Sequence, residues 1–487
     1  MLNFLDSFTY MVYFDYFKKK YIGILLFIFF PVLIQAQAKK PNIIFILTDD
    51  HRFDALGVAG NTIIQTPQMD LLAQQGTYFT HAFSSTPICA ASRASILTGL
   101  YERTHGYTFQ KPVLKKPYAE MMYPKLLREH GYHVGFFGKL GVNIDSASQY
   151  FDQSEFYDRG STGDKRGYFY KKIGGDTVHL TRYTGNQALS FIQSAPTDKP
   201  FCLSISFSAP HGHDNSVEQY YWQEKSNDLY SGIKIPKPLL AEDRYFLRLP
   251  KEVREGFNRV RWGWRFDTPE KYQQMVKGYY RMITEIDDEV GLIRQQLQLK
   301  GIEDNTIIIV MGDNGYFLGD RQLADKWLMY DMSIRVPLII YDPRVKHHSI
   351  VSRMVLNIDI SKTILDMAGI KAPATYQGQT LQPLLVNKNI DLGRTSILIE
   401  HLWPIEDIPS SEGVRTDRWK YFKYRFINAP EELYDLRKDP LEKNNLSTSK
   451  RFKKNLIFLR NELERYSKQY TDAKLCLDDP FMEVKNF

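Results

Sequence analysis

Two pairs of hard-oxygen side chains stand at the ends of apolar runs far apart in the chain. Asn42-Ile-Ile-Phe-Ile-Leu-Thr48 ends in Asp49-Asp50, and Thr306-Ile-Ile-Ile-Val-Met311 ends in Gly312-Asp313-Asn314-Gly315. Carboxylates and an amide oxygen brought together are the donors that Ca²⁺ or Mg²⁺ prefers. An Asp-Asp pair by itself is more often a turn or a helix cap. With Asp313 and Asn314 in the same kind of position, adjacent like charges behind a buried strand call for a cation. No His/Cys grouping with zinc spacing accompanies them.

Cys89-Ala90-Ala91-Ser92-Arg93 runs on into Ala94-Ser95-Ile96-Leu97, good helix-forming material after a loop. A helix starting at Cys89 offers free amides and the positive end of its dipole to an anion, and Arg93 one turn on adds a permanent charge. Such a site suits an oxyanion, although a lone cysteine more often packs in a core. Lys139 follows the run His133-Val-Gly-Phe-Phe137, and His211 follows Phe201-Cys-Leu-Ser-Ile-Ser-Phe207 in Ala209-Pro210-His211. A lone lysine is usually solvated, whereas an imidazole beyond a strand end suits proton transfer near neutral pH. Arg259-Val-Arg-Trp-Gly-Trp-Arg265 reads evenly as a surface that stacks a sugar and grips anions, or as a packed helix start.

The elements that must position these groups alternate. Short continuous apolar runs read as strands buried on both faces, with Val336-Pro-Leu-Ile-Ile-Tyr341 as a further one. Helices are expected over Gln68 to Gln75 behind Thr66-Pro67, Lys125 to His130, Gly185 to Gln193, Pro269 to Leu299 and Ile360 to Gly369. The alternation predicts an α/β fold with a mostly parallel sheet flanked by helices and ligands at the strands' carboxyl ends. After about Lys371 the pattern changes. Arg418-Trp-Lys-Tyr-Phe-Lys-Tyr-Arg-Phe426 alternates like a half-exposed strand, and Lys450 to Tyr470 like an amphipathic helix. A smaller C-terminal α+β subdomain with an antiparallel sheet is expected over 371–487, after a catalytic domain over 39–370.

The apolar run Tyr21 to Ile34, behind Lys18-Lys19-Lys20 and before Ala36-Gln37-Ala38, predicts a signal peptide over 1–38. It falls short of a membrane span and contains Pro31. The 487 residues include three cysteines, Cys89, Cys202 and Cys476, which is not the dense, even pattern of a disulfide-stapled secreted scaffold. The net charge of +7 becomes +6 once residues 1–38, with three lysines and two aspartates, are removed. A modestly basic surface favours an anionic substrate.

Cys89-Ala-Ala-Ser-Arg93, leading into Ile-Leu-Thr-Gly99, resembles the C-x-P/A-x-R signature of type I sulfatases, in the alkaline-phosphatase-like superfamily. In that family the cysteine is oxidised to formylglycine, which is hydrated to a gem-diol on the metal before one oxygen attacks sulfur. Further stretches match in the family's order. Pro41 to Arg52 is similar to the first metal-binding segment and Gly312 to Gly315 to the second, which implies Asp49, Asp50, Cys89, Asp313 and Asn314 as ligands of Ca²⁺. Asp325-Lys326 to Ile340 is similar to the segment whose lysine, here Lys326, binds sulfate. Glu432 to Pro440 with Asn444-Asn445-Leu446 is similar to the C-terminal signature.

The resemblance implies catalytic roles for Cys89, Arg93, Lys139, His211 and Lys326, with Lys139, His211 and Lys326 on the substrate. It departs from the family at Gly138-Lys139-Leu140-Gly141, where many members place a histidine at the position of Gly141. His213 and His105 are candidate substitutes. The expected protein is an exported, Ca²⁺-dependent sulfatase resembling bacterial polysaccharide or iduronate sulfatases, periplasmic or secreted. Its expected partners are a sulfated carbohydrate and a formylglycine-generating maturation enzyme, with no nucleic acid and no membrane anchor after signal cleavage. The rival readings are a phosphomonoesterase or phosphodiesterase of the same superfamily and a non-catalytic calcium-dependent binder of sulfated glycans.

Overall fold

The computed structural model describes residues 39–472 apart from 109–112, 163, 215, 347 and 404–406. The expected signal peptide over 1–38 and Cys476 lie outside the described residues. At the centre is an eight-stranded sheet, in spatial order Ser349–Val351, Thr77–Phe79, Leu338–Tyr341, Thr306–Gly312, Asn42–Thr48, Phe201–Ser206, His133–Gly138, Gln153–Phe156. The five strands from Thr306–Gly312 to Gln153–Phe156 run parallel.

Alternate side chains of the central strand feed two cores, as a period-two strand covered on both faces requires. Ile43, Phe45 and Leu47 pack on one side with Ala94, Ile96 and Leu97 of the helix Cys89–Thr98. Ile44 and Ile46 pack on the other with residues of the helices Pro67–Gln75, Leu180–Ser194 and Pro269–Leu299.

The expected strand over 336–341 is divided. Arg335–Val336 pairs with Ala82–Phe83 in a small three-stranded sheet, while Leu338–Tyr341 joins the main sheet antiparallel to its neighbours. Pro337 lies at the break and has no N–H to give a ladder.

Toward the C-terminus, Ser396–His401, Ser411–Thr416, Trp419–Tyr424 and Glu432–Asp435 form an antiparallel meander, followed by the helix Lys453–Asp472. The strand Trp419–Tyr424 is more buried than its alternation suggests. The Lys420 ammonium is buried because it pairs with Asp331 and, at 2.6 Å, with Glu442. A third core joins Phe83, Tyr101 and Tyr330 to Leu398, Val414, Phe422 and Leu433 of the meander.

Candidate active site

The parallel strands deliver the expected residues to one end of the sheet. Asp49 and Asp50 follow Asn42–Thr48, and Asp313 and Asn314 follow the adjacent Thr306–Gly312, whose Gly312 is in register with Thr48. On the other side, Phe201–Ser206 leads to His211 and His133–Gly138 to Lys139. Cys89 is the first residue of its helix, behind an extended Ile88, and all ten residues of that helix are buried. Lys326 follows the short strand Ala324–Asp325.

These side chains form one network. Lys139 Nζ donates to Asp49 Oδ2 at 2.5 Å, and Lys326 Nζ to Asp50 Oδ1 at 2.5 Å. Asn314 Nδ2 donates to Asp50 Oδ1 at 2.7 Å. Arg93 Nε donates to Asp313 Oδ2 at 2.8 Å, and its Nη1 reaches the Lys139 carbonyl at 2.7 Å and Ser206 Oγ at 2.6 Å. Arg93 therefore ties Asp313 to the neighbouring strand ends through Nε and Nη1, while its Nη2 makes no hydrogen bond among the described residues and lies 3.9 Å from Asp49 Oδ1.

Burial would raise the Asp49 carboxyl, but Lys139 and Arg93 hold it below the usual carboxylate range. Burial, then the charge of Asp49, pushes Asp313 up to about 7 against the pull of Arg93. Burial also pushes the Cys89 thiol up, although Lys139 and Lys326 pull it down. An unmodified Cys89 is thus a poor thiolate. His211 is held well below its usual range by burial, then by Arg159, Lys326 and Lys139. Its Nδ1–H donates to the Gly212 carbonyl at 2.5 Å, which leaves Nε2 as an acceptor, 3.4 Å from Asp50 Oδ2.

The donors fit a hard cation. Among the described residues, Asp49 Oδ1, Asp50 Oδ2 and Asn314 Oδ1 are buried with no hydrogen-bond partner, a costly state unless something positive faces them. Ligand atoms of Asp49, Asp50 and His211 lie within 4.8 Å of one another. Asp313 stands differently. Its Oδ1 accepts from the Asp50 amide at 3.1 Å and its Oδ2 from Arg93.

Two residues that the sequence reading did not single out enter the site from the turn after Gln153–Phe156. Arg159 Nη1 lies 3.8 Å from Asp49 Oδ2 and its Nη2 3.3 Å from His211 Nε2. Asp158 pairs with Arg159 at 3.1 Å and reaches Lys139 Nζ at 3.6 Å. A short irregular turn leaves no hydrophobic period by which to find them.

The 259–265 segment divides its roles. Arg265 is buried, bonded to Gln219 Oε1 at 2.8 Å and to the Tyr316 hydroxyl at 2.9 Å. Arg261 pairs with Asp325 and, at 2.6 Å, with Asp214. Arg259 stacks 3.7 Å from the Trp262 ring centre. The guanidinium groups are therefore largely structural, and Trp264 remains exposed.

Residues 41–370 match the sulfatase family model, and residues 319–469 match the model of the N-sulphoglucosamine sulphohydrolase C-terminal region. The chain belongs to the sulfatase family. It is a sulfuric ester hydrolase with the alkaline-phosphatase-like fold.

Among relatives, an N-acetylglucosamine-6-O-sulfatase of Bacteroides thetaiotaomicron is 28% identical, over 90% of this chain and 88% of that one. An ulvan-active sulfatase of Formosa agariphila is 28% identical, over 88% and 81%. A solved structure in complex with its substrate D-glucosamine-2-N,6-O-disulfate superposes with a TM-score of 0.75 at 26% identity, covering 91% of this chain and 100% of that one. A phosphonate monoester hydrolase of Agrobacterium radiobacter, at 21% identity, TM-score 0.71 and coverage of 88% and 96%, shares the fold.

In this sulfatase the position of the family histidine is closed. Gly141 has φ +68°, and a Cβ there would meet Arg93 Cδ at 2.6 Å. His105 shares a hydrogen bond with Ser95 Oγ at 3.0 Å and accepts from the Tyr107 amide at 3.0 Å. His213 packs beside Gly167.

Proposed function

We propose that the enzyme is exported, requires Ca²⁺ and hydrolyses sulfate esters of a sulfated carbohydrate with an oxygen nucleophile made from Cys89. The observation that carries this reading is the meeting of Cys89's helix with three unpartnered buried oxygens and the ammonium groups of Lys139 and Lys326. The signal-like residues 1–38, ending before a catalytic domain over 39–370 and a C-terminal subdomain over 371–487, support export. The glycan-acting relatives support the substrate class.

In this reading a maturation enzyme converts Cys89 to formylglycine. Asp49, Asp50 and Asn314, with Asp313 behind them, would hold the cation, which when bound supplies positive charge where the sulfate ester and nucleophile meet. Lys139 and Lys326 neutralise sulfate oxygens as negative charge builds on the leaving oxygen. Arg93 fixes Asp313 and Ser206. Nε2 of His211 can protonate the leaving oxygen only once it holds a proton, which the negative charge of an arriving sulfate favours.

The test is mass spectrometry of the peptide containing Cys89, from protein made beside a maturation enzyme, with sulfate release measured on sulfated oligosaccharides. Thiol-to-aldehyde conversion removes about 18 Da and should coincide with turnover. Full turnover by protein whose Cys89 is an unmodified thiol would overturn the nucleophile. Calcium-dependent glycan binding by modified protein, with no turnover, would favour the binding-protein reading.

A further inference from the structure

Four cationic side chains converge on the site, and three of them are deeply buried. Lys139 is bonded to Asp49, Lys326 to Asp50, and Arg93 to Asp313, Ser206 and a main-chain carbonyl. Their side chains are 8%, 2% and 2% exposed. Arg159 is the most open of the four, at 16%. Its Nη1 is anchored on Asp158, while its Nη2 is bonded to the ring of His211 at 3.3 Å. That Nη2 is close to Nε2 of the histidine already assigned to the leaving oxygen.

We propose that Arg159 binds the sulfuryl group under attack at the mouth of the site. This rests on the sulfatase reading of the same site. A guanidinium is a planar fork of N–H donors that matches two oxygens of a tetrahedral oxyanion, and it remains charged throughout. Arg159 therefore stabilises charge and takes no proton from the nucleophile. Asp158 positions it, since the same carboxylate lies between Arg159 and Lys139 and sets both cations toward one side.

The test compares wild type with Arg159→Ala and Arg159→Lys, after the conversion of Cys89 and the metal content of each have been shown equal. Binding of inorganic sulfate is measured by calorimetry, and sulfate release is measured on a singly sulfated sugar and on the same sugar with a second anionic group. Arg159→Ala should weaken inorganic sulfate about tenfold. It should lower kcat/KM on the order of 10²-fold on both sugars, with partial recovery in Arg159→Lys, which keeps the charge and loses the fork.

Unchanged sulfate binding and turnover would overturn the proposal. So would a loss confined to the doubly charged sugar, which would make Arg159 a reader of the second group. If wild type releases no sulfate from any ester, the sulfatase reading fails. The loss of inorganic sulfate binding in Arg159→Ala would still stand as evidence for the oxyanion contact.

Discussion

Gly141 and Arg93 are in such close approach that a Cβ on the glycine would lie 2.6 Å from Cδ and 3.3 Å from Nε of the arginine. The backbone at Gly141 is also left-handed, at φ +68°. A side chain there meets two penalties at once. Left-handed backbone costs an ordinary residue roughly 1–2 kcal/mol, and displacing Arg93 disturbs its bonds to Asp313 and Ser206. Gly141→His should therefore be less stable and less active than wild type, although it restores the family's residue. Urea midpoints and sulfate release check this. A Gly141→His variant as stable as wild type and faster would show that the pocket tolerates the ring.

Chelation should lower both melting temperature and turnover, because buried oxygens of Asp49, Asp50 and Asn314 lack hydrogen-bond partners among the described residues, and ligand atoms of Asp49 and Asp50 lie within 4.8 Å of each other. A cation at a hundred times its Kd adds about 2.7 kcal/mol of stability. Ca²⁺ should restore both properties more fully than Mg²⁺, which demands tighter octahedral geometry. Identical melting and turnover in chelator-treated protein would remove the metal from the proposal.

These predictions draw on features with unequal visibility in the sequence. Asp49, Asp50, Asp313 and Asn314 were legible because unbroken apolar runs mark a doubly covered sheet and where its strands stop. Lys139 and His211 were legible for the same reason, and Cys89 because helix-forming residues follow it after a loop, each strengthened by family motifs. Arg159 was not, because it stands on a turn that follows a half-exposed strand. Lys420 was misjudged, because alternation cannot reveal that Asp331 and Glu442 wait on the inner face. The split at Pro337 needed the third strand, Ala82–Phe83, to be known.

Glu102 gives a pH dependence away from the metal site. Burial, then the neighbouring Glu400, pushes its carboxyl from 4.5 to about 8. Between those values the folded protein holds a proton that the unfolded chain has lost, so stability falls as pH rises. The slope approaches about 1.4 kcal/mol per pH unit. Glu102→Gln keeps an oxygen for Thr86 Oγ1, which donates to Glu102 at 2.8 Å. The variant should lose less stability than wild type between about pH 5 and about pH 8, measured by urea midpoints. Parallel curves for the two proteins would mean that Glu102 is ionised in the fold.

Trp264 is the exposed aromatic side chain of the 259–265 segment, at 39% exposure. Its ring meets Phe257 edge-on at 5.7 Å, and Phe257 in turn lies 6.4 Å from Trp327, the neighbour of Lys326. The three rings make an apolar row from the residue beside Lys326 to the surface. A sugar ring next to the reacting residue can lie on such a row, with its apolar face against indole, for about 0.5–1.5 kcal/mol. Trp264→Ala should then raise KM several-fold on a sulfated oligosaccharide while leaving kcat and the turnover of a small aryl sulfate near wild type. An equal loss on both substrates would instead place Trp264 in the packing that supports Lys326, because a group too far from the sulfate to touch a small ester can affect it only through the fold.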